Sequence, residues 1–122
     1  MAIKNYQLTT TQLNAITVPA GERWAITNIM VCNTYSPTGP SASSRTAIFD
    51  MHFIENSGGS PGTLDNSVTS VVRQLSLPAG ETFTFDSEKV VLEAGDRVSF
   101  VASPDIGGNL TDLAVTLSYL EV

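Results

Sequence analysis

Cysteine and histidine are the scarcest chemistry-bearing residues of this chain, with one of each, Cys32 and His52, among 122 residues. A lone cysteine excludes an internal disulfide, and one histidine with one cysteine cannot build a zinc cage. Neither Cys-x-x-Cys nor His-x-His occurs. The six basic residues, Lys4, Arg23, Arg45, Arg73, Lys89 and Arg97, stand singly along the chain against twelve acids, for a net charge of −6. Nucleic-acid binders present a basic stripe to the phosphate backbone, so no nucleic-acid partner is expected. Long apolar runs are missing too. The first residues, Met1-Ala2-Ile3-Lys4-Asn5-Tyr6, lack the apolar core of a signal peptide, and no later run reaches the length of a membrane span. The expectation is a chain folded in a cytoplasm, without a membrane partner. Cys32 closes the apolar run Ile29-Met30-Val31-Cys32, with no cation beside it in sequence. It reads as a buried, inert thiol.

What the chain does have is alternation. Helical periodicity is hard to find, whereas apolar and polar residues exchange every second position, as in strands with one face in a core. In Ala47-Ile48-Phe49-Asp50-Met51-His52-Phe53, Ala47, Phe49, Met51 and Phe53 share one face and Asp50 and His52 the other. Phe83 and Phe85 alternate with Thr82 and Thr84, and Leu113, Val115, Leu117 and Tyr119 with Thr116 and Ser118. Val98, Phe100 and Ala102 line another such face. This pattern predicts strands near residues 3–9, 13–18, 23–33, 45–55, 68–77, 81–86, 89–92, 97–103 and 112–121. The fold class expected is all-β: one β-sandwich or jelly-roll-like domain of eight or nine short, mostly antiparallel strands. Residues 13–122 form its body, and residues 1–12 are an N-terminal strand or arm. From Trp24 to Cys32 the inward parity switches between Ile26 and Ile29, which predicts a β-bulge near Asn28 or burial on both faces.

A recurrent motif punctuates the strands: Val18-Pro19-Ala20-Gly21-Glu22, Leu77-Pro78-Ala79-Gly80-Glu81, and Leu92-Glu93-Ala94-Gly95-Asp96 without the proline. Proline fixes φ at the first corner of a type I turn and glycine supplies the left-handed residue after it, so each copy reads as a hairpin turn. Pro19, Gly21, Pro78, Gly80 and Gly95 are thereby assigned structural roles. Three polar segments, Thr34 to Ser44, Asn56 to Ser67 and Ser103 to Thr111, read as longer loops.

The search for chemistry yields little. Asp50 and His52 share a strand face, but a solvated surface pair explains them better than a catalytic dyad, and no nucleophile is singled out. Asp105, Asn109 and Asp112 are the best carboxylate cluster for calcium, yet they lack the dense oxygen spacing of an EF-hand loop. No catalytic residue, cofactor or metal is assigned. Trp24, opening an apolar strand, is expected in the core; Tyr35, in a loop, is the better candidate for an exposed contact.

The order of these features resembles a known family. Ile16-Thr17-Val18-Pro19-Ala20-Gly21-Glu22, followed by a strand ending Met30-Val31-Cys32-Asn33, then Leu92-Glu93-Ala94-Gly95-Asp96-Arg97-Val98 and the apolar strand to Val122, is similar to small virion proteins of tailed bacteriophages. The resemblance covers the chain from about residue 13 onward, except the loops between about residues 34 and 67. It implies a non-enzymatic β-sandwich module of the virion. The leading expectation is a homotrimeric capsid decoration, or cement, protein bound to the major capsid protein or other virion proteins. A tail, neck or fibre component is the alternative, and a host-surface glycan-binding module a second one. Ile3, Tyr6 and Leu8, on the N-terminal segment, are the candidate intersubunit contacts through a neighbour's open sheet edge.

Overall fold

The computed structural model describes residues 2–57, 60–86, 90–103 and 112–122. Strands dominate it: β1 Ala2–Gln7, β2 Leu13–Thr17, β3 Trp24–Asn33, β4 Ala47–Ile54, β5 Asn56–Ser57, β6 Ser60–Pro61, β7 Ser70–Leu77, β8 Thr82–Phe85, β9 Val90–Leu92, β10 Arg97–Ser103 and β11 Leu113–Glu121. A 3-10 turn, Ala42–Ser44, lies in the loop before β4. Sheet A runs β1-β11-β3-β8, with β9 continuing the β8 edge on β3; sheet B runs β2-β10-β4-β7. All these pairings are antiparallel, and the small β5–β6 pair stands apart. The expected β-sandwich is thus observed, with the strand order of a jelly roll. The strand boundaries agree with the alternation to within a few residues, whereas the β5–β6 pair arises inside a segment that reads as loop.

Two inward faces make the core. Phe49, Met51, Val98 and Phe100 from sheet B meet Ile29, Val31, Leu113, Val115 and Leu117 from sheet A, all at most 1% exposed. Removing such side chains from water is the main favourable term, at about 1.5–3 kcal/mol for each large residue. The bulge expected near Asn28 falls one residue earlier. Ser118 pairs with Asn28 and Tyr119 with Ile26, so Thr27 is the extra residue, tied by its hydroxyl to Ser118 Oγ at 2.7 Å. It lets Trp24, Ile26, Ile29 and Val31 all face inward. A second bulge at Ala15, between the Ile16–Val98 and Asn14–Ser99 pairs, buries both Ala15 and Ile16.

The recurrent motifs are turns but not hairpins. Glu22 N–H donates to Pro19 C=O, Glu81 N–H to Pro78 C=O and Asp96 N–H to Glu93 C=O, at 3.2, 3.1 and 3.0 Å. Gly21, Gly80 and Gly95 hold φ of 79°, 78° and 86°. Proline therefore precedes the first corner and glycine takes the second, which is type II geometry rather than type I. Each turn also joins strands of different sheets: β2 to β3, β7 to β8 and β9 to β10. The reason is visible in the hydrogen bonds. Val18 N–H donates to Asp96 C=O and Gly95 N–H to Val18 C=O, at 3.0 and 2.8 Å, so the first and third turns lock each other across the sandwich. The second is held by Asn33, whose N–H donates to Glu81 C=O while its C=O accepts from Gly80 N–H. The buried Asn33 side chain then donates to Arg45 and Leu77 carbonyls at 2.7 and 2.9 Å and accepts from Tyr35 N–H.

β1 is an integral strand of sheet A, in register with β11 from Ala2–Tyr119 to Gln7–Ala114. Leu8 belongs to this chain's own core at 1% exposure, Tyr6 packs against that core, and Ile3 stays 64% exposed.

The three turn glycines differ in surroundings, which predicts a graded series. A Cβ on Gly21 meets nothing within 4 Å, whereas on Gly80 it falls 2.9 Å from the Pro37 ring and on Gly95 it collides with the Asn56 side chain. Gly21→Ala should cost about 1 kcal/mol for the left-handed backbone alone, and Gly80→Ala and Gly95→Ala more. Chemical denaturation of the three variants reads the order; full stability of Gly95→Ala would contradict the packing.

Candidate functional site

Among the described residues, three places gather side chains able to do something: the outer face of sheet B, a corner cleft, and the outer face of sheet A.

On sheet B, strand register lines up a polar row, Asn14–Ser99–His52–Ser70, across all four strands. His52 is not the solvated residue that alternation suggests, since it and Ser99 are 0% exposed. Between β4 and β7, the chain around Gly62 and Thr69 comes back against this sheet. Gly62 lies against Ile54, the Arg97 guanidinium donates to Gly62 C=O, and Phe53 N–H donates to Thr69 C=O. Ser99 Oγ donates to Asn14 Oδ1 at 2.7 Å, and His52 Nδ1 lies 2.9 Å from Thr69 Oγ1. Thr69 Oγ1 also lies 2.9 Å from Asp65 C=O, which can only accept; a hydroxyl that donates there leaves Nδ1 as the donor of the His52 pair and Nε2 as the unprotonated acceptor. That Nε2 is buried without a hydrogen-bond partner. Asp50 is engaged elsewhere: its carboxylate accepts from Arg73 at 2.8 Å and from Gln74 N–H at 2.6 Å. This clamp holds a bulge of Arg73 and Gln74 opposite Asp50, where Gln74 adopts φ of 50°. The two residues therefore form no dyad.

The corner cleft, of about 330 Å3, is lined by Ala2, Glu22, Trp24, Tyr119 and Glu121. Its rings are stacked on each other, Trp24 on Tyr119 at 4.1 Å, and Trp24 Nε1 donates to Glu22 Oε1 at 3.0 Å. Trp24 is buried at 7% exposure, as expected for the core, and offers no open ring face. Tyr35 is likewise engaged. The Arg45 guanidinium stacks on its ring at 4.8 Å, Gly39 lies against the ring edge, and the residue is half-buried. Of the carboxylate cluster, Asp105 and Asn109 lie outside the described residues, and Asp112 faces Arg45 at 3.6 Å. Among the described residues no group of three or more His, Cys, Asp or Glu is placed to hold a metal ion.

The outer face of sheet A is different in kind. Cross-strand register sets out its rows: Leu120–Ala25–Val91; Ile3–Ser118–Asn28; Asn5–Thr116–Met30–Thr84; and Gln7–Ala114–Cys32–Thr82. No residue of these rows is charged, in a chain of net charge −6. Ile3, Met30 and Val91 are exposed apolar side chains on it, at 64%, 38% and 48%. Cys32 sits here half-buried rather than in the core, because β3 turns Val31 and Asn33 inward on either side of it. Threonines on wet strand faces were legible from alternation; their assembly into one uncharged plane follows only from the register.

No family model matches the chain, and no curated protein matches it in sequence.

Burial holds the His52 pKa below its ordinary 6.5; Asp50 opposes this and Arg73 adds to it. A buried neutral imidazole contributes stability that is complete above pH 6.5 and is lost as pH falls from there through the depressed folded value. NMR titration of this single histidine should give a midpoint below 6.5 together with declining stability from pH 7 toward 5. A midpoint above 6.5 would contradict the buried, unpaired Nε2.

Proposed function

We propose that this protein is a non-enzymatic structural component of a tailed-phage virion, a decoration protein that ties neighbouring subunits of the capsid shell together. The observation that carries this reading is the uncharged outer face of sheet A. Charge on a broad surface costs desolvation when a partner covers it, and interface centres are accordingly poor in charged residues. A face of amides, hydroxyls and three exposed apolar side chains is suited to being covered, while the acids elsewhere favour solubility. Jelly-roll sandwiches also recur in viral capsids, an analogy of fold that adds weight without fixing function.

The chemistry of these side chains favours this over a hydrolase or a glycan-binding module. A hydrolase needs a base that substrate can reach, and His52 is sealed beneath the segment before β7. A glycan module needs an open aromatic platform, and Trp24 and Tyr35 are both stacked within the chain. A tail, neck or fibre position uses the same kind of face and is distinguished by location alone.

Adding purified protein to shells that lack it is the direct test. Saturable binding and a higher shell disruption temperature are expected, with Met30→Glu weakening attachment at least ten-fold while the domain stays folded. Density for the protein confined to the tail in electron microscopy of the particle, or equal binding by the Met30→Glu variant, would overturn the decoration reading.

A further inference from the structure

A sandwich of two open sheets has four edges, and here they are treated unequally. β7 is broken by its two register shifts, at Arg73-Gln74 and at Val71. β2 carries the bulge at Ala15, and the β3 edge is covered by two separate pieces, β8 and β9. Such irregularities are the usual guards against edge-to-edge pairing. β1 has none: its six residues run in unbroken register with β11, without proline or bulge.

The direction of its free backbone groups follows from one hydrogen bond. Leu8 N–H donates to Leu113 C=O at 2.9 Å, so residues of even number on β1 turn their amides toward β11. Ile3, Asn5 and Gln7 consequently turn theirs outward, three donors and three acceptors with no strand beside them among the described residues. We infer that β1 pairs antiparallel with β1 of a second copy of this chain, about a two-fold axis at Asn5.

That register alone pairs all three outward residues, Ile3 with Gln7, Asn5 with Asn5 and Gln7 with Ile3 of the second copy. Sliding by one position either way about the axis loses a third of the bonds, and in one direction sets Lys4 against Lys4. An inward lysine is itself a common edge guard, and Lys4 is the only charge on β1. Centred on Asn5, however, Lys4 lies across from Tyr6 of the second copy, with its ammonium already held over its own Trp24 ring at 5.6 Å. No acid lies on β1 or in the cross-strand rows Ile3–Ser118–Asn28, Asn5–Thr116–Met30–Thr84 and Gln7–Ala114–Cys32–Thr82 that it would extend, so the net charge of −6 raises least repulsion there. An isologous contact closes at two copies, in place of the expected trimer. The pairing does not depend on attachment to a shell.

Sedimentation of the free protein over a dilution series tests it. A dimer of twice the 13.0 kDa chain mass is expected at high concentration. Asn5→Asp sets two carboxylates face to face at the axis and should weaken association at least ten-fold with an unchanged Tm, and mixing it with Asn5→Lys should restore the dimer. Asn5→Pro, which removes an outward N–H only, should also be monomeric and folded, while Tyr6→Pro should unfold more easily because its N–H faces β11. A monomer at every concentration, a three-fold mass, or a dimer indifferent to Asn5→Asp would overturn the inference.

Discussion

Two backbone hydrogen bonds, Val18 N–H to Asp96 C=O and Gly95 N–H to Val18 C=O, hold together corners that lie almost eighty residues apart in sequence. Both corners carry the chain from one sheet to the other, so this lock fixes how the layers are connected. Around it, Asp96 uses one carboxylate oxygen for Asn56 N–H at 2.7 Å and the other for Glu93 N–H at 2.9 Å. The left-handed glycines make the corners sterically possible, and the reciprocal bonds satisfy amides that burial would otherwise leave unpaired.

The alternation of sheets has a further consequence. Within the two main sheets, the strands that pair are mostly distant in sequence, β4 with β7 excepted, so most ladders depend on the inward faces of Phe49, Phe100, Val31 and Leu117 being brought together. Core burial and register then specify each other: the bulges at Ala15 and Thr27 change which side chains face inward, and the core accepts only that choice. The same dependence separates the two outer faces. Sheet B shelters a buried histidine beneath its own chain, while the cross-strand rows on the outer face of sheet A carry no charge and expose Ile3, Met30 and Val91.

Strand positions, the sandwich class and most core residues were legible because alternation of apolar side chains reports which face is dry. The turns at Gly21, Gly80 and Gly95 were legible as reversals but not as crossovers. A Pro-Ala-Gly corner states how the local backbone bends, not which strand it will lie beside. His52 was misplaced for a related reason: period-two phasing correctly puts it on the outer face of sheet B, and only a long-range fold-back buries that face. Cys32 was read from the apolar run around it, whereas its parity on β3 sends it outward. Tyr35 looked free because its partner, Arg45, comes from the far end of the same loop.

The proposed role and the proposed pairing use different parts of sheet A, its face and its edge, and both rest on the layered connectivity set by the corners. The most direct measurement of that connectivity is a set of through-space NMR contacts between backbone protons. Cross-strand contacts are predicted for Ile29 with Leu117, Met51 with Phe100, and Val18 with Asp96, with none between Thr17 and Trp24. A ladder between β2 and β3, as a hairpin at Ala20-Gly21 would give, would contradict the account.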